Sequence, residues 1–324
     1  MSATASAIIE RREGGAGKPS VTIRQAGDRA VLVEFGEMEF DLTLNFLVQA
    51  IDDALRRQPL EGLIETAPGF RSILVTFDSA ALTESELVAH LGATYDGLQA
   101  ETEMTIPSRL IYLPVAFDDS QTRAAVERYV NTIRKDAPNT ESGNNIDYIL
   151  RCNGLGDREE LYASVLATEH WSAFIGFFPG LPFMFPLDPR HAVVAPKYNP
   201  TRTWTPEGAL GLGGPCWAIY PVESAGGYQL IGRTIPIYDL AQRNEAFGEN
   251  PLLMRAGDRV AFDRIEEDEL LSLFEDVRAD RYRYRVEEGA FDVGAFITFR
   301  EAIADETAER RAVRERAAAE TRVP

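Results

Sequence analysis

The sequence predicts an α+β protein whose second domain is a β barrel and whose C-terminal tail is helical and charged. Three patterns support this fold class. Strand and helix patterns alternate in the first third, short apolar runs cut by glycine and proline fill the middle, and a charged helical pattern closes the chain. We expect four segments: a disordered lead (1–20), a small α+β domain (21–107), a barrel domain (108–265) and a helical tail (266–324).

The first domain is predicted to be a small open-faced sandwich. VTIRQAG and RAVLVEF have strand composition, and Gly27-Asp28 supplies the turn of a hairpin between them. Asp41 is placed to cap the helix LTLNFLVQAIDDALRRQ, whose leucines and isoleucine recur at helical spacing on one face. RSILVTFD is a further strand, and Thr83 with Glu86 forms a capping box for a short helix that ends near Leu91.

The second domain is predicted to begin with the strand RLIYLPVAF and a helix from about Gln121 to Lys135. The loop DAPNTESGNN sustains neither helical nor strand periodicity. Two shorter helices are expected around 146–152 and, capped by Asp157, around 158–168. The runs AFIGFF, AVVA, GPCWAIYPV, YQLIGRT and DRVAF are short strands separated by turn residues, which indicates a closed or strongly curved β barrel.

Composition excludes several classes of function. The formal net charge of −18 argues against a nucleic-acid surface. The most apolar window, WSAFIGFFPGLPFMFP, is short and broken by proline and glycine, so we expect a buried strand and turn and no membrane insertion. His90, His170 and His191 lie far apart, so we expect no metal site. Cys152 and Cys216 form no redox spacing, and the cytoplasm is the expected location.

The segment PKYNPTRTWTPEGALGLGG is the strongest candidate for a functional site. Its three prolines fix φ and exclude helix, so the polar side chains between them lie on a stiff, extended backbone. Lys197 is one of only three lysines in the chain, and we predict that Lys197 and Arg202 are catalytic. Tyr198 and Asn199 on the same segment are predicted to bind substrate.

Two glycine clusters extend this candidate site. Glycines permit close backbone approach, and their N–H groups can hold an oxyanion. The residues predicted to bind substrate around them are Gly213, Gly214, Ser224, Gly226, Gly227, Tyr228 and Arg233. His191, from the preceding LDPRH stretch, is predicted to be a catalytic acid or base. Each of these residue types also has a purely structural interpretation. The glycines can form tight turns, the arginines can form ion pairs, and the histidine can be a hydrogen-bonded turn residue.

These residues carry a family resemblance. LDPRH, KYNPTRTWTPEGALGLGG and SAGGYQLIGRTIPI resemble the carboxyltransferase region of urea carboxylase (urea amidolyase), whose second half is similar to the KipI, or allophanate hydrolase subunit 1, family. GFFPGLPFM resembles the glycine-proline turn of that wider family. QAGDRAVLVEFGEMEFDLTLNF, APGFRSILVTFD and VRADRYRYRVEEGAFDVGAFITF extend the similarity over nearly the whole chain. Ser224-Ala225 departs from the usual Ser-Pro or Gly-Pro, which leaves urea, guanidine-type and other small amides open as substrates.

The resemblance implies a cyclophilin-like barrel that acts with a homologous partner, the KipA or allophanate hydrolase subunit 2 half. A separate biotin carboxylase would use ATP to load biotin on a carrier, and the carboxyltransferase would move the carboxyl group from carboxybiotin to urea, giving allophanate. This chain shows neither an ATP signature nor a biotin-accepting lysine between methionines, so we expect it to need its partners. Lys197, Arg202 or Arg233 would stabilise charge on the ureido oxygen, Asn199 and Tyr228 would bind the amide, and His191 would accept a proton.

Two other functions are compatible with the family. A KipI-like chain also serves as one subunit of a 5-oxoprolinase complex, which opens a cyclic amide at the expense of ATP. The KipI name also denotes a non-enzymatic inhibitor of a histidine kinase. The KYNP segment and the long tail favour the urea carboxylase type.

Overall fold

The computed structural model describes residues 6–15 and 17–324, which fold into two compact units. The first unit comprises the described residues up to Ser108 together with Gly289–Phe299. The second comprises Arg109–Glu288 and Arg300–Pro324. The division expected from the sequence assigns residues 289–299 to the tail, whereas they group with the first unit here.

Short strands and helices occur along the whole of the described chain. The strands are β1 (Ile8–Arg12), β2 (Val21–Gln25), β3 (Ala30–Phe35), β4 (Leu63–Pro68), β5 (Ser72–Phe77), β6 (Thr105–Pro107), β7 (Leu110–Phe117), β8 (His170–Ile175), β9 (Pro182–Pro186), β10 (Arg202–Thr205), β11 (Ala209–Gly213), β12 (Cys216–Ile219), β13 (Ser224–Gly226), β14 (Gln229–Thr234), β15 (Arg259–Arg264), β16 (Arg285–Glu287) and β17 (Ala290–Asp292). The α-helices are α1 (Leu42–Arg57), α2 (Glu84–Gly97), α3 (Ser120–Thr132), α4 (Ile146–Asn153), α5 (Arg158–Leu166), α6 (Glu267–Arg278), α7 (Val293–Ala302) and α8 (Ala304–Glu320).

The first unit contains an antiparallel sheet in the order β1-β2-β3-β5-β4, packed with α1 and α2. Alternate residues of β3 and β5 are buried, which is the two-residue period of a half-covered sheet. Asp41 accepts a hydrogen bond from the Thr43 N–H and caps α1, and Thr83 with Glu86 forms the predicted capping box of α2. These predictions are confirmed, although α2 continues to Gly97, six residues past the predicted end.

Part of the predicted disordered lead is ordered. Residues 8–12 form β1 because they pair with β2, so the prediction is wrong for them. Residues 1–5 and 16 of that lead lie outside the described residues. At the other end of the chain, β17 pairs with β6 in the first unit. We expect the stretch RYRYRVEEG to interrupt the helical tail as a strand, and it contains β16, so this prediction is confirmed.

The second unit is built around a closed seven-stranded barrel in the order β14-β11-β12-β9-β8-β15-β7, and the ring closes because β7 also pairs with β14. All of these pairings are antiparallel except β15 with β7. The core includes Trp217, Met184, Leu212 and Ile231, each at most 1% exposed. The predicted barrel is confirmed: the short apolar runs form buried strands, several of them buried on both faces, and the seven strands close into a ring.

Helices cover the barrel, and their capping follows the sequence. Asp119 accepts from the N–H groups of Gln121 and Thr122 at the start of α3, and Asp157 caps α5 as predicted. Helix α8 packs on α4. In the part of the chain that the structure describes, no helix combines the length and the apolar character needed to cross a bilayer.

Candidate active site: the Lys197 cleft

A cleft of about 160 Å³ opens on the barrel beside Lys197. We call it the Lys197 cleft. Its walls come from the β8–β9 turn, β9, β12 and the turn before β14, and most of them are apolar or aromatic. It is lined by Phe177, Leu181, Phe183, Lys197, Thr201, Ala218, Tyr220, Gly227 and Tyr228.

Lys197 supplies the positive charge of this cleft. Its side chain is exposed, and Nζ lies 5.2 Å from the centre of the Tyr228 ring. Among residues 6–15 and 17–324, no carboxylate lies within ion-pair distance of Nζ. The ammonium is therefore available to a ligand with negative charge.

The extended backbone around Lys197 explains which side chains face the cleft. Successive side chains of an extended segment point to opposite sides, so Tyr198 is buried while Lys197 and Asn199 are exposed. The Tyr198 N–H donates to the carbonyl of Gly227 at 2.7 Å. Asn199 is exposed, and its backbone carbonyl accepts from Nη1 of Arg134 at 2.8 Å.

The glycines of the site make room for aromatic rings. A Cβ built on Gly213 would lie 2.8 Å from Cγ of Tyr228 and closer still to two other ring atoms, so the ring packs flat on this backbone. Gly226 is likewise covered by the Tyr220 ring, at 2.6 Å or less from any added Cβ. The N–H of Gly214 donates to the carbonyl of Ala195 at 2.7 Å. That N–H of Gly214, predicted as an oxyanion donor, is thus engaged with a backbone partner in this structure.

Arg202 lies behind the cleft wall, although the sequence predicts it to be catalytic. It is 1% exposed, donates to the carbonyl of Tyr228 at 2.6 Å and to Oγ1 of Thr205 at 3.2 Å, and stacks over the Tyr198 ring at 4.5 Å. Its Nε has no hydrogen-bond partner among the described residues. Burial raises the pKa of the Tyr198 hydroxyl, so this ring stays neutral beneath the guanidinium.

Three predicted site residues lie away from the cleft. Arg233 is buried near the far end of β14, where it forms an ion pair of 2.7 Å with Asp119. His191 follows β9, and its Nε2 is 3.8 Å from Oδ2 of Asp188, while burial lowers the pKa of its ring. Ser224 pairs with Thr205 in the β10–β13 ladder and does not line the cleft. The single polar pocket expected for all these groups is therefore not formed.

The aromatic lining is what the sequence analysis missed. Phe177 is 72% exposed and has a φ of 66°, in the left-handed region that bulky residues rarely occupy. Such strained positions are frequent at ligand sites. Two adjacent phenylalanines at the tip of a hairpin, in the FFPG turn, are the sequence signal that could have indicated this wall.

The thiol of Cys216 and the phenol of Tyr228 are both buried. The thiol donates to the carbonyl of Trp217 at 3.3 Å. Burial raises the pKa of Cys216 to about 12, and burial also raises the pKa of Tyr228. Nζ of Lys197 lies over the ring of Tyr228, so this ring faces the cleft, whereas the sequence analysis expects its hydroxyl to bind the amide.

No metal ligand set accompanies these groups. Within residues 6–15 and 17–324, no cluster of three or more histidines, cysteines or carboxylates is arranged to hold a metal ion. His170 is buried between Trp217 and Phe262.

The chain thus combines an antiparallel sheet packed with helices and a closed barrel that carries the Lys197 cleft. The chain belongs to the family described as "Carboxyltransferase domain, subdomain C and D", which matches residues 21–248. This confirms the resemblance inferred from the sequence.

Individual proteins of this family show which enzymes the chain is most usefully compared with. The chain is 40% identical over 278 residues to urea amidolyase of Saccharomyces cerevisiae, covering 85% of this chain and 15% of that protein. The crystal structure of Kluyveromyces lactis urea carboxylase superposes with a TM-score of 0.83 at 33% identity, covering 97% of this chain and 28% of the other. The chain is also 30% identical over 245 residues to a 5-oxoprolinase subunit of Bacillus subtilis, covering 76% of this chain and 93% of that protein. It thus spans only a small part of the urea enzymes and nearly all of the oxoprolinase subunit.

Proposed function

We propose that this chain is one half of a biotin-dependent carboxyltransferase that moves a carboxyl group from biotin to a nitrogen of urea or of a urea-like small amide. With urea the product is allophanate. The observation that carries this proposal is the Lys197 ammonium, which lies on a stiff backbone at an apolar cleft and has no ion-pair partner in the described residues. The urea amidolyase and urea carboxylase relatives, which align with most of this chain, support the choice of substrate.

The lining of the Lys197 cleft fits the ring system of biotin. Phe177, Phe183 and Tyr228 offer apolar surface for a compact ring and would exclude water from it. Lys197 offers a donor for a polar oxygen at one end of that ring. Biotin, when bound, supplies the ureido nitrogen from which the carboxyl group is transferred. These residues would hold it.

Lys197 acts electrostatically in this scheme. The Lys197 ammonium would hold the polar oxygen of the bound ring system and would stabilise negative charge at that oxygen during transfer. Arg202 adds positive potential from behind the Tyr228 wall, since it is buried without a carboxylate partner among the described residues. Asn199 does not line the cleft, but it is exposed two residues along the same segment, and we propose that its side-chain amide binds the amide substrate.

Other proteins supply the remaining steps. Because the chain spans 15% of urea amidolyase, we assign ATP use to a biotin carboxylase component and biotin attachment to a carrier. A homologous partner of the KipA or allophanate hydrolase subunit 2 type would complete the carboxyltransferase. We expect little transfer by this chain alone, because one exposed cleft does not exclude water from a carboxyl donor.

The test uses the chain co-purified with that partner and assayed with the biotin components. Lys197→Ala should lower urea-dependent or guanidine-dependent ATP turnover by at least about 100-fold, the usual cost of removing one oxyanion donor. Lys135→Ala is the matched control, since Lys135 is equally a surface lysine. Both variants should retain the wild-type thermal midpoint. Unchanged turnover in folded Lys197→Ala would remove Lys197 from the site.

A second function is favoured by one observation. The chain aligns with 93% of the Bacillus subtilis 5-oxoprolinase subunit, a free-standing protein of similar extent. The same assembly should therefore be assayed for ATP hydrolysis dependent on 5-oxoproline. Turnover with 5-oxoproline and none with urea or guanidine would select this second function over the first.

A further inference from the structure

A buried glutamine is hydrogen-bonded to the backbone of Pro196, the residue before Lys197. Gln229, the first residue of β14, is fully buried, and its Nε2 donates to the carbonyl of Pro196 at 2.6 Å. Its Oε1 accepts from Nδ2 of Asn139 at 3.0 Å. Proline has no N–H and a fixed φ, so its carbonyl is the polar group by which a neighbouring side chain can hold this peptide.

A buried asparagine holds the residue that follows Lys197. Asn145 is 1% exposed and exchanges hydrogen bonds with the hydroxyl of Tyr198, at 2.6 Å from Nδ2 and 3.0 Å to Oδ1. Its Nδ2 also donates to the carbonyl of Asn139 at 2.8 Å. Asn139 therefore connects the glutamine on one side of Lys197 with the asparagine on the other.

These contacts lie on both sides of Lys197, whose own side chain is flexible. A lysine has four rotatable side-chain bonds, so the region its ammonium can reach is set by how firmly its backbone is held. The side-chain amides of Gln229 and Asn145 are hydrogen-bonded at both nitrogen and oxygen, whereas Oδ1 of Asn139 has no partner among the described residues. Another arrangement of Gln229 or Asn145 would leave further polar groups unpaired in a low dielectric, so the network favours the one observed. The network contacts the flanks of Lys197 and does not line the cleft.

We propose that Gln229, linked through Asn139 to Asn145, is a positioning residue that sets where the Lys197 ammonium lies over the cleft. The catalytic consequence rests on the function proposed above. The effect on the position of the Lys197 ammonium rests on geometry alone. The positioning role and the catalytic role can therefore be refuted separately.

The first experiment observes Lys197 directly. With three lysines in the chain, reductive ¹³C-methylation gives few dimethyl-lysine NMR resonances, and Lys197→Arg assigns the one of interest. Gln229→Met preserves length and apolar bulk but removes both hydrogen bonds. We expect the Lys197 resonance to move toward that of Lys135 and to sharpen, with the Lys18 resonance unchanged. In the assembled complex, kcat should fall by about 100-fold, with KM for the amide changed by less than about twofold.

An isosteric variant supplies a rescue. In Gln229→Glu, a neutral carboxyl group can donate to the Pro196 carbonyl and accept from Asn139, whereas an ionised carboxylate can only accept. Burial raises the pKa of such a carboxyl group. Acidification should therefore return the Lys197 resonance of Gln229→Glu to its wild-type position and leave that of Gln229→Met displaced. A purely stabilising role for the network predicts no such pH dependence.

The matched control is Asn244→Ala. Asn244 is also fully buried and donates to the carbonyl of Tyr282 at 2.9 Å, so its loss should lower stability while leaving the Lys197 resonance in place. An undisplaced resonance in folded Gln229→Met overturns the positioning role. A displaced resonance with unchanged turnover upholds positioning and overturns the catalytic role of Lys197. Should Gln229→Met not fold, Asn139→Ala gives the same readout, and the absence of any shift there overturns the inference.

Discussion

The packing of Tyr228 on Gly213 predicts a sharp response to a single methyl group. In Gly213→Ala, Cγ of Tyr228 lies 2.8 Å from the added Cβ, and Cδ1 and Cε1 lie closer still. All three would have to withdraw to at least 3.4 Å, the lower limit of ordinary contact, so the ring must shift by more than about 0.6 Å. The ring has little room to move, since it is 8% exposed. Overpacking of this kind costs about 1–3 kcal/mol in the free energy of unfolding.

The assay is chemical denaturation followed by circular dichroism, with Gly176→Ala as the control. A Cβ on Gly176 meets its nearest neighbour, a ring atom of Phe174, at 3.7 Å, which is ordinary contact. The control should therefore change the free energy of unfolding by less than about 0.5 kcal/mol. For a unit of this size, each kcal/mol should also lower the thermal midpoint by about 2–4 °C.

A double-mutant cycle isolates the contact. If the ring of Tyr228 is what the new methyl group meets, Gly213→Ala should cost much less in a Tyr228→Ala background than in the wild type. The resulting coupling should approach the cost of the single change. Equal costs in the two backgrounds, or a Gly213→Ala variant as stable as Gly176→Ala, would refute the packing argument.

Two further outcomes follow from buried ionisable groups. Burial lowers the pKa of His170 from 6.5 to about 4, so the unfolded chain binds that proton more tightly and stability falls as pH drops through this window, by about 3 kcal/mol. His170→Gln should flatten the decline between pH 6.5 and 4 in denaturation midpoints, and an unchanged slope would contradict this. Arg233→Met leaves Asp119 buried without its cation and should cost about 3–5 kcal/mol of stability. Turnover per folded molecule should be retained, whereas a loss of turnover at full stability would restore Arg233 to the site.

Local signals predicted the helices and strands well where capping and periodicity are encoded in adjacent residues. Asp41, Thr83 and Asp157 cap the helices they were expected to cap, because an N-cap needs only one side chain and the next few N–H groups. The end of α2 and the strand β1 were missed, because packing and pairing with distant residues decide them.

The candidate site was only partly predictable. Lys197 was found because stiff backbone and a rare residue type are visible in the sequence, and Gly227 and Tyr228 lie with it in the cleft. The sequence does not distinguish the surroundings of Arg202 from those of Arg233. In the structure, Arg202 stacks on the Tyr198 ring behind the cleft, and Arg233 forms an ion pair with Asp119. The partner of a long charged side chain is set by non-local contacts, which sequence spacing does not record.

The sequence by itself determined the family, the order of a sandwich and a barrel, and the extended backbone that carries Lys197, since proline geometry, capping and strand composition act over a few residues. Only the tertiary structure decided which side chains share the cleft. Barrel closure brings Phe177, Lys197 and Tyr228 together from separate stretches, and it places the amides of Gln229 and Asn145 beneath the lysine. Those contacts depend on pairing between distant strands, and no local pattern specifies them.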